Sequence, residues 1–134
     1  MITKNATRIA RDRKVTYSWD GPAIEDAKDP GWNTRIDLVI EHVKNAKCYT
    51  ATVYKLAARR DPRGYTMTMF SVFESPAARF MKKPAGRFSE NGLALFESEV
   101  LNECDQLTAE PGFGGLAGLL LCEADGWAPA AAAI

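Results

Sequence analysis

Two runs of alternating character dominate the chain. Residues 47–59, KCYTATVYKLAAR, and 64–75, GYTMTMFSVFES, are rich in Tyr, Thr, Val and Phe, the residues that fit a pleated, half-buried surface. Asp61-Pro62-Arg63-Gly64 lies between them. Pro in the second turn position pre-sets φ, and Gly in the fourth suits a type I turn. The pattern predicts a β-hairpin with a two-residue loop at Pro62-Arg63, setting Asp61 opposite Gly64. In that register Tyr54, Leu56 and Ala58 share a core face with Tyr65, Met67, Met69 and Phe73, while Val53, Lys55, Arg59 and Phe70 fall on the other.

The elements before the hairpin are shorter. Residues 1–14 read as a basic arm or a short helix with a weak apolar stripe at Ile2, Ile9 and Ala10. Val15–Trp19 has strand character and ends at the turn signal Asp20-Gly21-Pro22. Residues 23–33 hold at most one helical turn before Pro30-Gly31. The run 35–47 fits two periods. As a helix, Ile36, Val39, Ile40 and Val43 share a face behind a Thr34 cap. As a strand, Ile36, Leu38 and Ile40 alternate with Arg35 and Asp37. A meander of neighbouring strands is the simpler connection and favours the strand.

Beyond the hairpin, Ser75-Pro76 ends the second run. Residues 77–87 form a basic connection in which 77–81 extend as a strand or coil into a helical turn. A helix then follows over 89–107. Ser89 is its N-cap, Phe88 and Leu93 form a hydrophobic-staple pattern, and Leu93, Phe96, Val100, Cys104 and Leu107 make one stripe. Pro111-Gly112 closes it. Residues 112–124 form a Gly-rich apolar run, either a last strand or a short buried helix. Trp127 is placed to lap onto the core, and residues 128–134 read as a frayed tail. The expected architecture is a single α+β domain: an antiparallel meander of about four strands packed by one main C-terminal helix.

Composition narrows the class without naming a function. Apolar residues make up 46% and charged residues 25% of 134 positions, the balance of a globular chain of one domain. The N-terminal stretch lacks the apolar core of a signal peptide, and the longest apolar stretch, 116–122, is too short to span a bilayer. The expected location is the cytoplasm. Cys48, Cys104 and Cys122 are odd in number and form no CxxC pair, which argues for free thiols rather than a zinc knuckle or a disulfide framework.

Charge changes the picture more. The formal net charge is zero, yet the signs are segregated. Lys4, Arg8, Arg11, Arg13 and Lys14 crowd the start, and a second basic run spans 55–87. From Phe88 onward there is no Lys or Arg, only carboxylates. Such asymmetry points to a polyanion partner, or to a match of opposite faces within or between subunits. The leading expectation is a non-catalytic protein that binds single-stranded DNA or RNA. Its candidate contacts are Lys55, Arg59, Arg60, Arg63, Arg79, Lys82, Lys83 and Arg87 for phosphates, with Phe70 and neighbouring aromatics for stacking. The alternative is a protein-binding inhibitor or adaptor whose acidic helix face, Glu97, Glu99, Glu103 and Asp105, mimics a phosphate path. A homodimer joining the basic hairpin of one copy to the acidic helix of another belongs beside it.

Enzyme readings rank lower. His42 is the only histidine and borders an apolar run. Gly112-Phe113-Gly114-Gly115 lacks the Lys of a phosphate loop and reads as a helix stop and turn cluster. No histidine and carboxylate spacing suggests a metal site, so neither a cofactor nor a membrane partner is expected.

Overall fold

The computed structural model describes residues 2–25, 31–60, 66–69 and 78–130. Its centre is three long antiparallel strands, β2 (Lys14–Ala23), β3 (Asn33–Val43) and β4 (Cys48–Arg60). Two short strands fill each outer edge. Along β2 these are β1 (Thr7–Arg11), opposite 14–18, and the two-residue β7 (Ala128–Pro129), opposite Trp19 and Asp20. Along β4 they are β6 (Ala78–Pro84), opposite 48–53, and β5 (Thr66–Met69), opposite 57–60. All seven belong to one sheet, β1 to β5 in meander order with β6 beside β4 and β7 beside β2.

The helices lie on one face of this sheet. Helix α1 (Glu90–Ala109) is followed at once by α2 (Pro111–Ala124). Facing them are Val15, Tyr17 and Trp19 of β2, Ile36, Leu38 and Ile40 of β3, and Tyr49, Ala51 and Val53 of β4. Against these pack Leu93, Phe96, Val100, Cys104 and Leu107 of α1 and Ala117, Leu120, Leu121 and Ala124 of α2. The α1 residues are the stripe expected from the sequence. Trp19, Phe96, Ile36, Leu38 and Leu121 are fully buried, and each such side chain contributes about 1.5–3 kcal/mol through removal of apolar surface from water. Ser89 caps α1, its Oγ accepting from Gly92 N–H at 2.9 Å.

The structure resolves residues 35–47 as strand β3 with a turn at 44–47. Val43 stands opposite Cys48, and Lys47 closes the loop at φ 50°. The β-branched run gains a partner on each side and buries alternate residues, which a single helix face would not do.

Several expectations are corrected. Residues 7–11 are a strand, not an arm or helix. Arg11 pairs Lys14 across a two-residue loop with Asp12 at φ 56°, a conformation Asp tolerates better than most residues. Asp20-Gly21-Pro22 does not end β2; it is an irregularity in a strand that runs to Ala23. There the ring of Trp127 covers Gly21, where a Cβ would come within 2.6 Å of it. The start of the expected tail is held rather than frayed: Ala128 and Pro129 pair with β2, and Ala130 is buried. Residues 111–124 are helical, so Gly112–Gly115 is the start of α2, kinked at Gly115 (φ 57°), and not a turn cluster.

The hairpin register moves by one. Arg60 stands opposite Thr66 and Ala57 opposite Met69, whereas a two-residue loop would set Arg60 opposite Tyr65. The favoured two-residue hairpin loops take a positive φ at the first central position, which a proline ring, confined near −65°, does not adopt. Residues 61–65 and 70–77 lie outside the described residues. The face assignment on β4 is reversed as well. Tyr49, Ala51, Val53 and Lys55 face the helices because Val53 and Ala51 stand opposite Leu38 and Ile40 of β3. Leu56 is fully buried on the other face.

Candidate functional site

The structure does not gather the basic run of 55–87. Lys55 points to the helix side, where its Nζ meets Glu123 Oε1 at 2.7 Å. Arg59 lies over the ring of Trp32, 5.1 Å from its centroid. At about 3.3 Å per strand residue, Arg59 is about 36 Å along β4 from Cys48, several screening lengths at physiological salt. Arg79 stands opposite Thr52, on the face turned away from α1 and α2. Lys82 and Lys83 sit at the end of β6, and Arg87 follows them. Arg63 and Phe70 lie outside the described residues, as does the side chain of Arg60.

A different convergence takes their place. In an antiparallel meander alternate turns fall at the same end of the sheet. The β1–β2 loop, the β3–β4 loop, the end of β6 and the start of α1 therefore meet. Backbone bonds tie them together: His42 N–H donates to Arg13 O at 3.1 Å and Ala85 N–H to Lys47 O at 2.9 Å. The Tyr49 hydroxyl accepts from Ser89 N–H at 3.1 Å and donates to Ser89 O at 3.2 Å. His42 is buried beneath this junction. Its Nε2 donates to Ala85 O at 2.9 Å, since a carbonyl can only accept, and its ring packs against Tyr49 and Phe88.

Eight cations are displayed here: Arg11, Arg13 and Lys14 from the first loop, Lys44 and Lys47 from the second, and Lys82, Lys83 and Arg87 from β6 and beyond. All are exposed. The carboxylates at this end include Asp12, Glu41 and Glu90, and Glu99 reaches it from α1. Lys83 Nζ is held by Glu99 at 3.0 Å; among the described residues the other seven form no ion pair. The N-terminus of α1 adds its partial positive charge to the same end. Only Lys82, Lys83 and Arg87 belong to the set expected from the sequence. The remaining five sit at the tips of two loops. The signal that could have found them was the turn alternation of the meander, not the density of Lys and Arg along the chain.

Of the aromatics expected at the site, four are among the described residues, and Tyr54 is half-buried on β4. Tyr49 is buried, and Phe80 and Phe88 are half-buried against the core. Arg13 lies over Phe88 at 5.6 Å. Tyr65, Phe70 and Phe73 lie outside the described residues.

Two of the four acids on the helix face, Glu97 and Glu99, are engaged within the chain. Glu97 accepts two hydrogen bonds from Arg8, Nε at 2.8 Å and Nη2 at 2.9 Å, and a third from the Tyr17 hydroxyl at 2.5 Å. The Arg8 bonds hold the Glu97 carboxyl below the usual carboxylate range against the opposing effect of burial. Burial, then the bond to Glu97, pushes the Tyr17 phenol up to about 12. Glu99 is paired with Lys83, Glu103 is half-buried and Asp105 exposed. Asp105 and Asp125 line a cleft of about 330 Å³ with Ile2, Asn5 and Thr108.

A second cleft, about 350 Å³, lies between β1 and the first turns of α1. Ala10, Val15, Phe88, Leu93 and Ala94 are its apolar lining, and Arg8, Arg11, Lys14, Asp12, Glu90 and Glu97 its charged lining. No family model, curated protein or solved structure compared with this chain matches it. Among the described residues no three His, Cys, Asp or Glu side chains gather as metal ligands, and no helix is long and apolar enough to cross a membrane.

Proposed function

We propose that the chain is a non-catalytic nucleic-acid-binding protein that docks the phosphate backbone of a single strand against the basic end of its sheet. One observation carries this reading: exposed Lys and Arg from three separate segments converge around the start of α1, with few carboxylates among them. Phosphate recognition needs cations rather than a base-reading surface. The binding is accordingly insensitive to sequence and steeply sensitive to salt. The contacts are Arg11, Arg13, Lys14, Lys44, Lys47, Lys82 and Arg87. Lys55 and Arg59 have no part in it, being distant along β4 and engaged elsewhere.

The inhibitor or adaptor reading, and a dimer built on the same acids, have less support. A phosphate mimic presents free carboxylates, but Glu97 and Glu99 already have cationic partners. The deciding experiment is a fluorescence titration of labelled single-stranded DNA and RNA at low and moderate salt. Saturable binding that weakens as salt rises is expected. Absence of binding at low salt removes the proposal.

A further inference from the structure

The cleft between β1 and α1 opens beside the basic end and combines apolar with charged side chains. Val15, Leu93 and Phe88 line it together with Arg11, Lys14 and Asp12 and the Arg8–Glu97 ion pair. Its volume of about 350 Å³ lies in the range of small-ligand sites. Glu90 also lines it, a carboxylate able to accept hydrogen bonds from a ring amine. A flat apolar body carrying amine donors and joined to a phosphate matches all three features. We infer that this cleft receives one unpaired nucleobase of the strand whose phosphates lie on Arg11 and Lys14. The inference rests on the function proposed above and adds a base-dependent component to it. A base paired within a duplex is not free to enter, so the cleft makes the protein prefer single strands.

The test compares two twelve-nucleotide strands, one with natural bases and one abasic throughout, in the same titration. The natural strand is expected to bind the full chain about tenfold more tightly, the scale of one base held against apolar side chains, with equal salt dependence for both. Ala94 is exposed on α1 and lines the cleft, so Ala94→Trp fills it from the surface. That variant is expected to erase the tenfold difference and leave the affinity for the abasic strand unchanged. Ala10→Phe, from the β1 side, is a second route to the same end should the first variant melt early. Equal binding of the two strands by the wild-type chain overturns the inference, as does a difference that survives both fillings. Binding of neither strand at low salt is a separate result, and it removes the backbone proposal itself.

Discussion

Neutralising two cations from different loops of the basic end should change how binding depends on salt, not merely weaken it. The outer members of the row, β1 and β6, are separated by four strand spacings, about 19 Å in all. A single strand carries one phosphate per about 3.4 Å of helix axis, so such a row spans about five phosphates. For a single strand the slope of log affinity against log salt is about −0.7 per phosphate neutralised, giving about −3.5 here. Between 50 and 200 mM salt the affinity then falls about 100-fold. Lys44→Gln with Lys82→Gln removes two contacts and should flatten the slope to about −2.1. Lys55→Gln removes the same kind of charge from a residue held by Glu123 on the helix side, and its slope should match the wild type. Fluorescence anisotropy at five or more salt concentrations measures all three. An unaltered slope in the double variant, or an equal flattening by Lys55→Gln, would show that the basic end is not where the phosphates lie.

Other outcomes follow from contacts within the fold. Tyr17→Phe removes a hydrogen bond to a charged acceptor and should cost about 1.5–3 kcal/mol of unfolding free energy in urea titrations. The Glu97 carboxyl is held below its ordinary value of 4.5, so its contribution is complete above that pH and disappears as pH falls through the folded value. Glu97→Gln should remove that acid-side loss of stability. Tyr17 acts at the other extreme: raised from 10 to about 12, it supports the fold fully below pH 10 and ceases to do so as pH rises towards 12, a loss that Tyr17→Phe abolishes. Gly92→Ala should lower stability by about 1 kcal/mol, although Ala favours a helix by about as much. Its Cβ would come within 2.6 Å of the Tyr49 hydroxyl and 2.7 Å of Ser89 Oγ; thermal melting decides the sign. Among the thiols, a maleimide should modify Cys122 first. Cys104 is buried, and burial followed by the nearby Asp105 and Glu103 pushes its pKa up to about 12, so it should react only on unfolding.

What was legible in the sequence was mostly local. Ser89 and the stripe from Leu93 to Leu107 announce α1 because cap, staple and period agree within one helix. The strand at 33–43 was distinguishable from a helix only by preferring the simpler connection, and the sheet partners on both sides supply the reason that preference holds. β1 escaped because TRIAR has little strand character of its own and its turn, Asp12-Arg13, lacks glycine; pairing with β2 creates it. α2 stays undecided between strand and helix in the sequence because its Gly-rich start resembles a loop, while in the fold Gly114 lies close against Leu107 and Gly115 supplies the kink. The candidate site was the least legible part. Lys82, Lys83 and Arg87 lie in a basic run that is visible by eye, but Lys14 and Lys44 join them only once alternate turns are stacked at one end. The same run misleads at Lys55 and Arg59, because an extended strand carries neighbours in sequence tens of ångströms apart.

Gathering eight exposed cations at one end of the strands gives a molecule with no formal net charge a pronounced local polarity. Ion-exchange chromatography reads local charge before it reads the sum. At its isoelectric pH of about 6.6 the protein should still be retained on a sulfonate resin, attached by the loop tips with the far end of the sheet turned to solvent. The same asymmetry would orient it on any dense array of negative groups before a single short-range contact forms.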